Sequence, residues 1–155
     1  MSEVAEDART VAGAFAEQFA AGWAAGGPAD RFVEHFARLS TPQLLLIQPL
    51  SPPLRGLAGL RTMAEQLFEA MPDLRGEVIR WGPSEDGVLI ELTLRGTLAG
   101  QPMEWTVVDR IVLRNGLMVE RRSYFDPLPL IPRMSRSPRA ALRLVRGMRK
   151  RKEGR

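Results

Sequence analysis

The chain has 155 residues, 45% hydrophobic and 26% charged, with a formal net charge of +4, a mixture that supports one domain with a core able to hold a pocket. It has no cysteine and one histidine, His35, which excludes disulfides, thiolate catalysis, cysteine-ligated centres and histidine-rich metal sites, though not carboxylate ones. No apolar run approaches the roughly 20 residues of a membrane span, and the acidic start MSEVAEDART has no signal-peptide pattern; a cytoplasmic protein without a metal or a cofactor is expected.

The first helix is predicted over Ala5–Ala25, with Val11, Phe15, Phe19 and Trp23 four apart on one face and Ala12, Ala16 and Ala20 beside them. Gly26-Gly27-Pro28 stops it, and a short second helix follows with Phe32, Val33 and Phe36 inward. Leu44–Ile47 reads as a short strand and the proline-rich Gln48–Pro53 as a loop. A third helix is expected over Leu57–Ala70, its apolar face formed by Leu57, Leu60, Met63, Ala64, Leu67 and Met71.

Beyond Pro72-Asp73 the apolar period falls from nearly four to two. Val78–Trp81, Val88–Thr97, Met103–Leu113 and Leu117–Phe125 read as four strands joined by polar turns, the last turn at Arg114-Asn115-Gly116. Tight turns imply antiparallel pairing, and three helices followed by a sheet imply an α+β fold.

Alternation puts Asp109 on one face of its strand with Trp105, Val107, Ile111 and Leu113. A carboxylate there pairs with an arginine on a neighbouring strand, faces a ligand, or reaches water if a bulge reverses the parity. Tyr124 and Asp126 share a face of the fourth strand, and Asp126 also suits a capping role before Pro127. His35, beside Glu34 and Arg38 on the second helix, fits an edge or core position or a catalytic base.

Leu54-Arg55-Gly56-Leu57-Ala58-Gly59-Leu60-Arg61, Met71-Pro72-Asp73-Leu74, Val108-Asp109-Arg110 and Glu120-Arg121-Arg122-Ser123-Tyr124-Phe125-Asp126, in this order, resemble the SnoaL-like polyketide cyclase family. That family belongs to the superfamily of ketosteroid isomerases and nuclear transport factor two, and the resemblance covers residues 8–130. It implies a cone: a curved antiparallel sheet covered by three N-terminal helices, with a central pocket. It also implies acid–base chemistry on a hydrophobic polyketide-like or steroid-like substrate.

Ketosteroid isomerases hold an enolate with a tyrosine and a protonated aspartic acid and use another aspartate as base. By motif position these fall at Phe19, Asp109 and Gln48; phenylalanine donates no hydrogen bond and glutamine is no base. The Asp-Arg-Asp positions of limonene-epoxide hydrolases fall at Ile90, Leu92 and Ser123. Ring closure of the SnoaL type needs fewer fixed polar groups, because orientation supplies much of the rate. Asp109 and His35 are therefore the candidate catalytic residues, and Phe19, Trp23, Gln48, Trp105, Tyr124 and Asp126 the candidate ligand-binding ones. The alternative is a non-catalytic ligand-binding or protein-association module on the same cone.

Residues 133–155 carry ten of the 22 Lys and Arg but one of the 18 Asp and Glu, a balance of +9 against −5 for residues 1–132. The cone domain is thus expected over 1–132 and a basic tail over 133–155. In the tail Ser137-Pro138 would open a short amphipathic helix with Ala141, Leu144, Val145 and Met148 on one stripe. The tail reads as a soluble, partly disordered terminus, as packing on the body or a twin subunit, or as a weak contact with anionic lipid or nucleic acid. Outward apolar residues such as Val108 and Val112 lead to the expectation of a homodimer.

Overall fold

The computed structural model describes residues 3–134; the expected tail helix lies outside the described residues. Three helices come first: α1 (Glu3–Ala25), α2 (Ala29–Arg38) and, after β1 (Ser40–Ile47) and β2 (Leu54–Arg55), α3 (Gly56–Ala70). Then come β3 (Arg75–Ser84), β4 (Gly87–Leu98), β5 (Gln101–Arg114) and β6 (Leu117–Tyr124), and one turn of helix, α4 (Ile131–Met134). Leu130 is buried, and Met134 packs against the core from the partly buried shell.

On α1, Phe15, Phe19 and Trp23 are buried with Ala12 and Ala16. Val11, which opens the same four-residue row, is exposed. A strict row of that spacing drifts about 40° per step around a helix of 3.6 residues per turn, so its far end leaves the core. The helix stops at Gly26, whose φ of +67° favours glycine and whose absent Cβ would lie 2.6 Å from the Leu74 carbonyl oxygen. On α2, Phe32, Val33 and Phe36 turn inward as their spacing predicts. On α3 the inward set is Leu60, Met63, Ala64 and Phe68, while Leu57 is exposed. Phe68 meets Phe32 edge-on with centroids 5.3 Å apart.

The strands form one six-stranded sheet in the order β2-β1-β6-β5-β4-β3. Pairing is antiparallel except between β1 and β6, which run parallel. The β3–β6 meander follows from its turns: Ala99-Gly100 and Asn115-Gly116 all take positive φ, the twist that two-residue hairpin turns require. β3 is longer than Val78–Trp81 because Gly82 and Pro83 still pair with Leu89 and Val88; as an edge strand it tolerates the proline. Bulges at Ile79 in β3 and Val119 in β6 shift the register; such bulges bend the strand that carries them. The three N-terminal helices cover the inner face, giving an α+β cone whose core joins both layers.

Candidate functional site

The inner face of β5 carries Val107, Asp109 and Ile111 in sequence, and Asp109 is 1% exposed. Its direct partners across the ladder are Ile90 on β4 and Ser123 on β6. Ser123 donates its hydroxyl to Asp109 Oδ1 at 2.6 Å and accepts from Arg121 Nε at 3.2 Å. Arg121 Nε also lies 3.4 Å from Asp109 Oδ2. That separation makes the contact chiefly Coulombic, with the serine supplying the directional link. A terminal Arg121 nitrogen donates to Gln48 Oε1 at 3.2 Å, so one chain of contacts runs from the buried acid to a half-buried loop residue.

Burial holds the Asp109 carboxyl above the usual carboxylate range; the Arg121 charge and the Ser123 hydrogen bond pull it back only in part. Desolvation disfavours the anion more strongly than one cation and one hydroxyl favour it. The group therefore holds its proton more firmly than an exposed aspartate does.

Buried aromatic side chains of α1 and α2 pack together beside Arg121. Phe19 packs edge-on against Phe36, with centroids 5.6 Å apart, and Trp23 against Phe32 at 5.0 Å. The Arg121 guanidinium carbon lies 5.9 Å from the Trp23 ring, within cation–π range. Trp105, half-buried, packs at the margin of the core.

The other candidates sit apart. His35 Nε2 lies 2.7 Å from the Gln18 carbonyl oxygen; that partner only accepts, so this nitrogen carries the proton and joins α2 to α1. Tyr124 is 54% exposed and pairs with Val108 on the outer face. Asp126 Oδ1 accepts from the Leu128 amide at 3.0 Å, a turn-capping bond. The structure thus gathers Asp109, Gln48 and Trp23, with Phe19 behind them, and brings in Arg121 and Ser123.

The sequence leads to an arginine on a neighbouring strand beside Asp109, and Arg121 is that arginine; it does not single out Arg121 or Ser123, because a plain hairpin register from Asn115-Gly116 turns Arg122 and Tyr124 inward. The bulge between Val112 and Leu113 pairing leaves Val119 unpaired and reverses β6 from that point. The available signal was Arg121 and Ser123 standing two apart opposite an inward acid.

A surface groove of about 580 Å³ is lined by Asp73, Arg75, Arg95, Thr97, Met103 and Glu104. It does not include Asp109, and its polar groups serve the fold. Asp73 binds the Thr97 amide and hydroxyl, Arg95 bridges Glu77 and Glu104, and Arg75 caps the α1 carbonyls of Ala24 and Ala25. Among the described residues no acid or histidine cluster fits a metal ion, and no helix is long and apolar enough to cross a membrane.

Comparison with known families matches the SnoaL-like domain to residues 16–121. No curated protein matches the chain. Among solved structures, a Jannaschia sp. CCS1 protein named as a SnoaL-like polyketide cyclase superposes with a TM-score of 0.71 at 21% identity, covering 84% of this chain and 95% of that one. AclR of Streptomyces galilaeus, named as a hydroxylase, gives 0.63 at 21% identity, covering 81% and 96%. A protein of ketosteroid isomerase-like fold from Catenulispora acidiphila, in complex with trimethylamine, gives 0.63 at 13% identity, covering 72% and 85%. At these identities the likeness is one of fold.

Proposed function

The chain belongs to the SnoaL-like domain family, and from that premise we propose that it takes a hydrophobic, polyketide-like or steroid-like small molecule into a central pocket of the cone and performs acid–base chemistry on it through Asp109. The observation that carries this reading is a carboxyl 1% exposed on an apolar face, held by burial above the usual carboxylate range. A fold gains little from such a group as packing, since an apolar side chain of like size avoids its desolvation cost.

In this reading an enol carbon of the substrate attacks a carbonyl carbon of the same molecule; the carbonyl π bond breaks as the C–C bond forms, the protonated Asp109 delivers its proton to that carbonyl oxygen, and the enol hydroxyl then returns a proton to Asp109 as it becomes a ketone. Between the two transfers the carboxylate is stabilised by the Ser123 hydroxyl and the Arg121 guanidinium, which stand in place before the reaction and need no reorganisation. The aromatic side chains of α1 and α2 orient the substrate, and orientation supplies the larger share of an intramolecular rate. His35 fixes the helix pair that carries them.

The test is incubation with a panel of aromatic polyketide substrates, with products read by mass spectrometry, beside native mass spectrometry of freshly purified protein for a retained ligand. Asp109→Asn should keep the fold and the ligand and lose turnover by about 10²–10⁴-fold, the usual worth of a positioned acid. Undiminished turnover in the variant overturns the assignment. A retained ligand without turnover by the wild type leaves a binding module.

A further inference from the structure

Trp23 carries a buried N–H that nothing uses. The residue is 2% exposed, and its Nε1 has no hydrogen-bond partner. An unsatisfied buried donor costs about 1–3 kcal/mol, so native interiors rarely keep one. The ring is not free to seek an acceptor elsewhere. It is held edge-on by Phe32 and Phe36, and its Cβ stands only 2.9 Å from the place where a Cβ on Gly76 would lie.

The neighbouring charged group is also incompletely engaged. Arg121 uses Nε for Ser123 and Asp109 and one terminal nitrogen for the Gln48 amide oxygen. That last bond, at 3.2 Å, joins the guanidinium to a neutral acceptor on a half-buried loop residue. An anionic oxygen would compete well for this donor, because charge-assisted hydrogen bonds are roughly twice as strong as neutral ones. Two hydrogen bonds of about 2.9 Å that meet at one oxygen along its lone-pair directions join donors about 5 Å apart. The guanidinium carbon lies 5.9 Å from the centre of the indole, so the two groups are neighbours.

We propose that Trp23 Nε1–H and the Arg121 guanidinium together receive one singly charged, conjugated oxygen of the ligand, an enolate or phenolate. This rests on the reading of the interior as the ligand site. Two donors and a single cation match one delocalised charge, whereas a phosphate brings more charge and more acceptors than the apolar surroundings satisfy.

The experiment uses the full chain and three probes: lawsone, a hydroxynaphthoquinone ionised to a conjugated enolate at neutral pH; naphthoquinone, its neutral counterpart; and naphthyl phosphate. Indole N–H resonances are followed by nitrogen-15 NMR, with the Trp23 signal identified by its loss in Trp23→Phe. Lawsone should shift the Trp23 signal saturably and bind at least tenfold more tightly than either other probe. Trp23→Phe should weaken lawsone about tenfold, the order of one hydrogen bond to a charged group.

The wild-type titration stands even where Trp23→Phe folds poorly, because Trp81→Phe and Trp105→Phe assign the other two indole signals. Lawsone binding with a stationary Trp23 signal overturns the inference, as does equal binding of the neutral quinone. So does a signal that cross-relaxes with water and ignores all three probes, which would assign the acceptor to a buried water. Loss of turnover in Asp109→Asn alongside any of these results leaves the proposed function standing and removes only the Trp23–Arg121 receptor. Binding of no probe, together with no retained ligand and no turnover, removes both.

Discussion

Asp109 sets two effects of opposite sign against each other, and their balance is measurable. Burial raises its carboxyl above the ordinary value, while Arg121 and Ser123 lower it by less. The folded chain therefore holds this proton over a range in which the unfolded chain has released it. The stability contributed is fully present below the unfolded value of about 3.9 and is lost as pH rises through the folded value. Asp109→Asn has no proton to lose there. Thermal melts between about pH 4 and pH 8 should show the wild type losing stability relative to the variant as pH rises. A difference that is constant with pH, or that grows in the wild type's favour, would mean that Arg121 outweighs burial and that Asp109 is a structural anion. Ser123→Ala bears on the same balance: it removes a 2.6 Å bond to the carboxyl. It should cost about 1–3 kcal/mol in denaturant titrations and raise the Asp109 titration further, read by carboxyl carbon NMR. An unmoved titration would count against the serine as the directional link.

The packing of α1 on α2 turns on a single missing methyl. A Cβ on Gly22 would lie 2.5 Å from the His35 ring and 2.6 Å from the Phe36 ring. Glycine inside a helix is about 1 kcal/mol worse than alanine by propensity, so Gly22→Ala on an isolated helix would stabilise. Here overpacking of about 1–3 kcal/mol opposes that gain, and it acts on the His35 to Gln18 contact and on the aromatic cluster at once. The variant should melt lower than the wild type, and a higher melting temperature would show that the helix pair has slack. The same elements show what could be read in advance. Helix and strand positions followed from apolar period and from punctuation such as Gly26-Gly27-Pro28 and Asn115-Gly116, because each is a local effect. The inward Asp109 followed from simple alternation in a strand whose own residues run without a bulge. An arginine partner for Asp109 follows too, but the choice of Arg121, the place of Ser123 and the outward turn of Tyr124 do not, because the bulge at Val119 reverses β6. Pairing β1 parallel to β6 decides that reversal together with the hairpin, and a contact between segments more than 70 residues apart leaves no periodicity in either.

For the whole molecule, the outer face of the sheet and the basic C-terminal residues are separate questions with separate measurements. Leu89, Val108 and Tyr124 are exposed on that face, among the pairs Arg80–Glu91, Arg110–Asp86 and Arg122–Glu120. Charges of both signs allow a second copy to approach without net repulsion, and we propose a homodimer through this face. Sedimentation at micromolar concentration should give twice the chain mass, and Val108→Glu should shift it toward monomer; a wild-type monomer throughout overturns the proposal. The basic residues act by a different route. Removing residues 136–155 deletes nine Lys and Arg and one Glu, which changes the formal charge from +4 to −4. The cut spares α4, so the buried Leu130 and the packing of Met134 are retained. The truncated chain should therefore melt within a degree or two of the full chain, yet lose most of its affinity for phosphatidylserine vesicles, since each basic residue near such a surface contributes about 1 kcal/mol. Added salt should reproduce the loss in the full chain, because the Debye length shrinks to about 8 Å at physiological ionic strength and screens the same attraction. Phosphatidylcholine vesicles should bind neither form. A large fall in melting temperature with unchanged vesicle binding would instead assign Leu144, Val145 and Met148 to packing, and retention of mixed-sequence DNA by the full chain without retention on vesicles would move the partner from lipid to nucleic acid.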